Sequence, residues 1–185
     1  LNDLFSFAID KYKQVDGYVH YAGITPVSGI TNCDEETYDE VFDINLKSAF
    51  FCTQLAINHM QKSGGGSIIY FGSAHMDYGQ IDRTAYAITK GALNILSSHI
   101  AHHYAKYQIR SNYIVMGWTD TDGEIELRES QGISQAELQK EASKIIPMGR
   151  MLNVYDPIPT VLHFLSDDSS MITGSVVRIT GGEFI

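Results

Sequence analysis

The chain has 185 residues, enough for one domain with a sizeable core, and its 44% hydrophobic and 19% charged residues are ordinary for a globular protein. The net charge of −9 and the lack of any basic run argue against a nucleic-acid partner, because phosphate binding needs clustered Lys and Arg. Cys33 and Cys52 form no disulfide framework, and no apolar run approaches the roughly 20 residues of a membrane span. We therefore expect a reduced, cytoplasmic protein without a signal peptide.

The first part of the chain predicts a helix, a strand and a second helix. Apolar residues recur at helical spacing over residues 1–9, and the apolar run YVHYAGI at 18–24 suits a buried strand. Asp34 is a suitable N-cap for a long helix that continues to about Lys62. The glycines at 64–66 then end that helix.

The remainder of the chain continues the alternation. A strand at SIIYFGS (67–73) precedes a long helix from about Thr84 to Tyr107, and IRSNYIVM (109–116) is a third strand. Residues 117–150 are polar and only weakly helical, at SQAELQKEASKI. A helix through PIPTVLHFLS and a fourth strand at SVVRIT complete the pattern.

Apolar strands that alternate with long helices predict an α/β fold, in which a parallel sheet is covered on both faces. In such folds the ligand binds at the carboxyl ends of the strands. The chemistry is therefore expected just after Tyr21, Phe71 and Met116.

Three polar residues fall at one of these strand ends. Ser73 ends the second predicted strand, Tyr86 follows near the start of the next helix, and Lys90 lies one helical turn further on. An ammonium beside a phenol lowers the phenol pKa from its usual value near 10, which favours proton transfer at neutral pH. A Tyr–Lys pair alone is an ordinary helix-face contact, but the strand-end serine favours a site that holds a carbonyl oxygen and protonates it.

The segment GSAHMDYGQIDRTAYAITKGALNIL resembles the active-site segment of the short-chain dehydrogenase/reductase family, a strand-end Ser followed by Y-x-x-x-K. FDINLKSAFF, VHYAG and MGWTDTD are similar to the family's Asn-bearing helix, its N-N-A-G segment and its P-G-x-x-x-T segment. IIPMGRM, FLSDDSSMITG and VRITGGEF resemble the C-terminal third of the 3-oxoacyl-carrier-protein reductase group. The resemblance thus extends over essentially the whole chain.

The resemblance implies a Rossmann-like, doubly wound parallel sheet in three α/β/α layers, and an oxidoreductase that uses NAD or NADP to interconvert a ketone and a secondary alcohol. Tyr86 would be the general acid/base, and Lys90 would lower its pKa and bind the nicotinamide ribose. Ser73 would orient the substrate oxygen. Asn45 would help to hold a water that links Lys90 to solvent.

The resemblance also implies a set of binding residues. Ala22 and Gly23 would let the backbone pass the cofactor ribose, and Thr119 and Thr121 would contact the nicotinamide amide or phosphate. Gly117 would be a further cofactor-binding residue. Candidates for the substrate pocket are His75, Met76 and Trp118, although a loop role for the first two and a packing role for Trp118 are the simpler interpretations.

Three features depart from the family pattern. His20-Tyr21 replaces Asn-Asn, which puts the usual hydrogen bonds in doubt, and Met116 replaces a proline, which is expected to loosen the next loop. The Gly-rich turn that binds the pyrophosphate has no match. Residues 1–185 would thus be a single domain, the C-terminal two-thirds to three-quarters of the usual fold. Roughly 65 residues, including the N-terminal strands, would be missing, so the first strand would expose a bare edge.

Two other functions are compatible with parts of this pattern. A truncated, inactive fragment of the same fold could act as a structural or interaction module. A zinc hydrolase could use His99, His102 and His103, but no carboxylate or Cys accompanies them, so we expect no metal and place these histidines near a subunit interface. A small-molecule carbonyl or alcohol substrate and a homodimer or homotetramer are expected. The substrate itself, and NAD against NADP, stay open.

Overall fold

The computed structural model describes residues 2–77 and 79–183, so Leu1 of the predicted first helix lies outside the described residues. The helices α1 to α7 are Asn2–Tyr12, Glu35–Phe42, Ser48–Ser63, Thr84–His103, Asp122–Ser130, Gln135–Ile145 and Ile158–Leu165. The strands β1 to β4 are Gly17–His20, Gly66–Ser73, Ile109–Met116 and Val176–Ile179. Among the described residues, no helix is both long and apolar enough to cross a lipid bilayer.

The four strands form one parallel sheet in the order β1-β2-β3-β4. The central strands β2 and β3 are buried over nearly their whole length and consist largely of β-branched and aromatic residues, which suit a sheet covered on both faces. The predicted α/β class with a parallel sheet is therefore confirmed.

The strand register brings the carboxyl ends to one edge of the sheet. Ser73 pairs with Met116 across β2 and β3, and Met116 pairs with Ile179 across β3 and β4. His20, the last residue of β1, pairs with Tyr70. The segments that follow each strand therefore meet above one edge of the sheet, as expected for a site in this class of fold.

Two apolar clusters cover the faces of the sheet. Helices α3 and α4 pack Met60 and Leu93 against Tyr70 and Tyr113 on one face. Phe164 of α7 packs with Ile69 on the other face. The sheet is thus the middle of three layers, and the site at its edge rests on a rigid core.

The predicted long helix between Asp34 and Lys62 is divided in the structure. A π-helical turn over Asp43–Lys47 separates α2 from α3 and carries the buried Asn45. Such turns are common at functional sites, because the widened turn releases backbone groups from the regular ladder. The apolar pattern of the segment does not show this interruption.

The polar segment 117–150 contains two helices, whereas only the second, α6, was predicted. Thr121 caps α5 by accepting a hydrogen bond from the backbone N–H of Glu124, and Asp122 adds favourable negative charge to the first turn. Two further predicted bounds were too long: β1 ends at His20, and α4 ends at His103, followed by a short 3₁₀ turn over Ala105–Tyr107.

Candidate active site

The structure brings together the serine, tyrosine and lysine that the sequence singled out. Ser73 ends β2, and its hydroxyl is close enough to Tyr86, in the first turn of α4, to lower the pKa of the phenol. One turn later, Lys90 places its Nζ atom 5.5 Å from the centre of the Tyr86 ring. A hydroxyl, a phenol and an amine therefore converge at the carboxyl edge of the sheet.

Lys90 is attached to the sheet at two points. Its Nζ donates a hydrogen bond of 2.9 Å to the carbonyl oxygen of Phe71 in β2, and its own carbonyl accepts one of 2.6 Å from Tyr113 Oη in β3. Lys90 as a whole residue is 5% exposed. Burial disfavours the ammonium form and lowers the pKa of Lys90 to about 8.

The environment of Tyr86 acts on its pKa in both directions. Burial raises the pKa above its usual value, while the Ser73 hydroxyl and the positive charge of Arg83 lower it. The net direction is upward, opposite to the sequence expectation, because withdrawal of the phenol from water outweighs the groups that stabilise a phenolate. Tyr86 is thus held in its protonated form.

Asn45 fixes the loop that follows β1. Its Oδ1 accepts a hydrogen bond of 2.8 Å from the N–H of Ile24, and its Nδ2 donates one of 2.9 Å to the carbonyl of the same residue. Gly23 is pressed against this pair, since a Cβ there would lie 3.3 Å from Asn45 Oδ1 and 3.4 Å from Lys90 Nζ. Asn45 therefore holds the loop beside Lys90 in place, and its side chain does not line the cleft.

His20, which replaces an expected asparagine, connects β1 to the π-helical turn. Its Nε2 lies 3.2 Å from the backbone oxygen of Asn45, and its Nδ1 lies 3.0 Å from Tyr18 Oη. Because a carbonyl oxygen only accepts, Nε2 carries the proton of the neutral ring and Nδ1 accepts from Tyr18. Burial, together with the charge of Lys90, lowers the pKa of His20, against an opposing effect of the Asn45 bond. Although His20 stands in place of the expected asparagine, β1 and the π-helical turn are thus still linked by hydrogen bonds.

Ser73, Tyr86 and Lys90 line a cleft of about 1030 Å³. Most of the residues that the sequence assigned to catalysis or binding line it: Gly23, Ser73, His75, Tyr86, Lys90, Gly117, Trp118, Thr119 and Thr121. Three do not: Ala22 is exposed on the loop after β1, Asn45 lies behind that loop, and Met76 packs against the core. The cleft therefore collects nine of the predicted residues, from the end of β2 and from the segments that follow β1, β2 and β3.

The loop after β3 is held from several sides. Gly117 donates its N–H to Ile179 O at 2.9 Å, and Asp120 and Leu152 bond the next segment to the loop at 151–153. The Thr119 hydroxyl donates to the carbonyl of Gly117 at 3.0 Å, and Thr121 is the N-cap of α5. Backbone bonds to β4 and to the loop at 151–153 thus hold this loop although Met116 stands in place of a proline.

Trp118 joins the loop to two acidic side chains. Its backbone N–H donates to Glu183 Oε2 at 3.1 Å, and its indole Nε1 donates to Glu124 Oε1 at 2.8 Å. Arg128 also donates to Glu124 Oε1, and its guanidinium lies 5.3 Å from the Trp118 ring centre. Burial raises the pKa of Glu183, while the bond from Trp118 lowers it.

Several lining residues were not found from the sequence, chiefly Tyr21, Arg83, Glu124, Arg128 and Glu183. Arg83 lies three residues before Tyr86, and this helical spacing is a signal that could have identified it. Glu183 follows the Gly181-Gly182 turn after β4, and only the folded chain shows that this turn returns to the loop at Trp118.

The histidine cluster lies elsewhere. His99, His102 and His103 are exposed in the last turns of α4, with the ring centres of His99 and His103 4.3 Å apart. Within residues 2–77 and 79–183, no group of three or more His, Cys, Asp or Glu side chains is arranged to hold a metal ion. The chemistry of the cleft is thus built from other residues.

The chain as a whole is similar to known reductases and dehydrogenases. Residues 1–183 match the family model described as enoyl-(acyl carrier protein) reductase. The chain is 30% identical over 182 residues to 3-oxoacyl-[acyl-carrier-protein] reductase FabG of Thermotoga maritima. The matched region covers 98% of this chain and 71% of that protein. A short-chain type dehydrogenase/reductase from Mycobacterium ulcerans superposes with a TM-score of 0.89 at 26% identity, covering 98% of this chain and 65% of that one. The structure of ElxO with NADP bound gives the same TM-score and identity, with 98% and 72% coverage.

Proposed function

This chain belongs to the short-chain dehydrogenase/reductase family, and from that premise we propose that it is an NAD- or NADP-dependent oxidoreductase acting on a ketone or secondary alcohol. The observation that carries the proposal is the convergence of Ser73, Tyr86 and Lys90 in one cleft at the carboxyl edge of a parallel sheet. Similarity to a structure with NADP bound supports the choice of cofactor.

The residues of the cleft suit the nicotinamide and ribose part of such a cofactor. Gly23 and Gly117 line the cleft where a Cβ would crowd Asn45 and Lys90 in one case and Thr180 and Glu183 in the other, so both positions suit glycine. The Lys90 amine and the hydroxyls of Thr119 and Thr121 offer donors for ribose and amide oxygens. When bound, the cofactor supplies the hydride.

The protein's own groups would handle the proton. Tyr86, kept protonated by burial, donates its phenolic proton to the carbonyl oxygen of the substrate, while the Ser73 hydroxyl donates a hydrogen bond to the same oxygen. The phenolate that forms is stabilised by the adjacent protonated Lys90. Asn45 and His20 hold the loop and the π-helical turn behind Lys90, and we propose that they keep a hydrogen-bonded route from Lys90 toward solvent.

The proposal also covers the oligomeric state of the protein, its location in the cell and the extent of its domain. Phe50 and Phe51 on α3 and Ile88 and Ile95 on α4 are exposed apolar side chains, which supports a homodimer or homotetramer formed through these helices. We place the protein in the cytoplasm on the ground that both cysteines are unpaired. Residues 1–185 would act as one domain, and a small carbonyl or alcohol would be the substrate.

The test combines cofactor binding with turnover. The purified chain is titrated with NADH and NADPH while the fluorescence of Trp118, the single tryptophan, is followed, and reduction of neutral ketones is then assayed. Tyr86→Phe is expected to lower kcat by about 100-fold or more, with cofactor affinity nearly unchanged, because only the transferable proton is removed. Tyr12→Phe, on the exposed face of α1, is the matched control.

Two results would contradict the proposal in different ways. Wild-type turnover by Tyr86→Phe would exclude Tyr86 as the acid. Neither cofactor binding nor turnover by the unmodified chain would instead favour the second candidate, a non-catalytic module with the same fold.

A further inference from the structure

The cleft contains a cation that the proposed proton transfer does not use. Arg83 precedes α4 directly and lies three residues before Tyr86, so both side chains project from the same end of the helix. The position is held by backbone contacts: Ser28 donates its N–H to Asp82 O at 2.8 Å, and Thr84 donates to Ser28 O at 3.3 Å. The guanidinium therefore rests on an ordered part of the wall.

The guanidinium is largely buried, yet much of it has no partner. The side chain is 12% exposed, and Nη1 donates to the Asp82 carbonyl oxygen at 3.0 Å and lies 3.2 Å from the Asp82 carboxylate, which is 44% exposed. Neither Nε nor Nη2 has a hydrogen-bond partner among the described residues. An arginine withdrawn from water with one free edge is an incomplete hydrogen-bonding group, and a bound anion would complete it.

The cation lies beside the reacting group. Its positive charge is close enough to lower the pKa of both Tyr86 and His75. The rings of His75 and Tyr86 meet edge to face with centres 5.9 Å apart, and all three residues line the cleft. A ligand whose oxygen reaches Tyr86 would thus extend within reach of Arg83.

Two acidic side chains of the cleft, those of Glu124 and Glu183, are engaged elsewhere. Glu124 accepts from Trp118 Nε1 and from Arg128, both at 2.8 Å, and Glu183 accepts from the Trp118 backbone. Among the described residues, the Asp82 carboxylate alone pairs with Arg83, and it is 44% exposed to solvent. On the Tyr86 side of the cleft, Arg83 is therefore the cation whose charge is balanced least by the described residues. Its one carboxylate partner is exposed to solvent, so that ion pair is weak.

We infer that Arg83 binds a carboxylate of the substrate through its free Nε–Nη2 edge, so that the substrate is an oxo acid and the product a hydroxy acid. A planar guanidinium edge matches the two oxygens of a carboxylate. The inference rests on the proposed function: hydride from the reduced cofactor reaches the carbonyl carbon, the C=O π bond breaks, and the oxygen takes the Tyr86 proton. The carboxylate itself is unchanged.

The binding test does not need turnover. Isothermal titration calorimetry on the purified chain compares pyruvate, acetoacetate and levulinate, in which zero, one or two methylene groups separate ketone and carboxylate, with their methyl esters. At least one acid is expected to bind roughly tenfold more tightly than its ester, the value of a charge-assisted hydrogen bond. Arg83→Gln should abolish this preference and Arg83→Lys should keep part of it, whereas Arg128→Gln, which removes a paired cation from the same cleft, should preserve it.

Turnover of the same acid and ester pairs separates the two proposals. If acids bind through Arg83 but no ketone is reduced, the carboxylate site stands and the reductase function fails. If esters are bound and reduced as well as the acids across the panel, or if Arg83→Gln retains the acid preference, the carboxylate site is overturned and the reductase function stands. Circular dichroism verifies that each Arg83 variant is folded.

Discussion

At the scale of single residues, two glycines near the catalytic lysine have opposite surroundings. A Cβ added to Gly72 in β2 would lie 1.8 Å from Tyr113 Oη, the atom that donates to the carbonyl of Lys90. A Cβ added to Gly91 in α4 would meet nothing within 4 Å. The absence of a side chain is therefore required by packing at Gly72 and is not required at Gly91.

Alanine at these two positions should change stability in opposite directions. Gly72→Ala is expected to lower the free energy of unfolding by about 1–3 kcal/mol or more, because the buried Tyr113 must move. Gly91→Ala should raise it by up to about 1 kcal/mol, since glycine is a poor residue inside a helix. Urea denaturation of both variants measures the difference. Equal midpoints for Gly72→Ala and the unmodified chain would contradict the packing described here.

The residues of the site differ in how far the sequence could reveal them. Ser73, Tyr86 and Lys90 were identifiable because a strand end and one helical turn fix their spacing locally. The upward direction of the Tyr86 pKa was not, because it depends on burial by distant segments. The same holds for Arg83, whose free edge depends on which groups surround it after folding.

At the scale of elements, the link between β1 and the π-helical turn depends on one imidazole. His20→Phe would leave the Asn45 carbonyl and the Tyr18 hydroxyl without their partner in the core. We expect a loss of about 1–3 kcal/mol, because buried polar groups without partners are costly. Tyr18→Phe, which removes only one hydroxyl, should lose less. Thermal denaturation compares the two, and the reverse order would show that His20 does not bridge these elements.

The elements themselves were predictable where periodicity was strong. The apolar strands β2 and β3 and the core-facing pattern of α4 matched the structure to within a few residues. The π-helical turn was missed because an extra residue in one turn barely shifts the apolar pattern, and α5 was missed because its residues are mostly polar. A short helix with no buried residue is stabilised by its cap and first-turn acids, a weaker signal than an apolar face.

At the scale of the whole molecule, buried cationic groups make stability depend on pH. His20 and Lys90 have folded pKa values below their usual values, so the unfolded chain binds more protons and the free energy of unfolding rises with pH. For His20 this contribution is complete above pH 6.5 and is lost as the pH falls below it. For Lys90 the rise begins near pH 8 and continues toward 10.5.

Lys90→Met is expected to remove the rise above pH 8 and to raise the thermal midpoint at pH 7 by a few degrees, since an apolar side chain of similar length replaces a buried charge. Cofactor-free protein is melted between pH 6 and 9.5, with the exposed Lys47→Met as the control. A Lys90→Met midpoint that tracks the unmodified chain at every pH would contradict the buried-charge account.

The sequential strand order has a modular consequence. Ser73, Tyr86 and Lys90 all belong to one βαβ unit, β2–α4–β3, whereas α5 and α6 follow it in the chain. The residues proposed for proton transfer and many of the residues proposed to line the substrate pocket thus lie in separate segments of the chain. Exchange of residues 117–150 between homologues is a way to diversify what the cleft accepts while leaving the acid and its neighbours untouched.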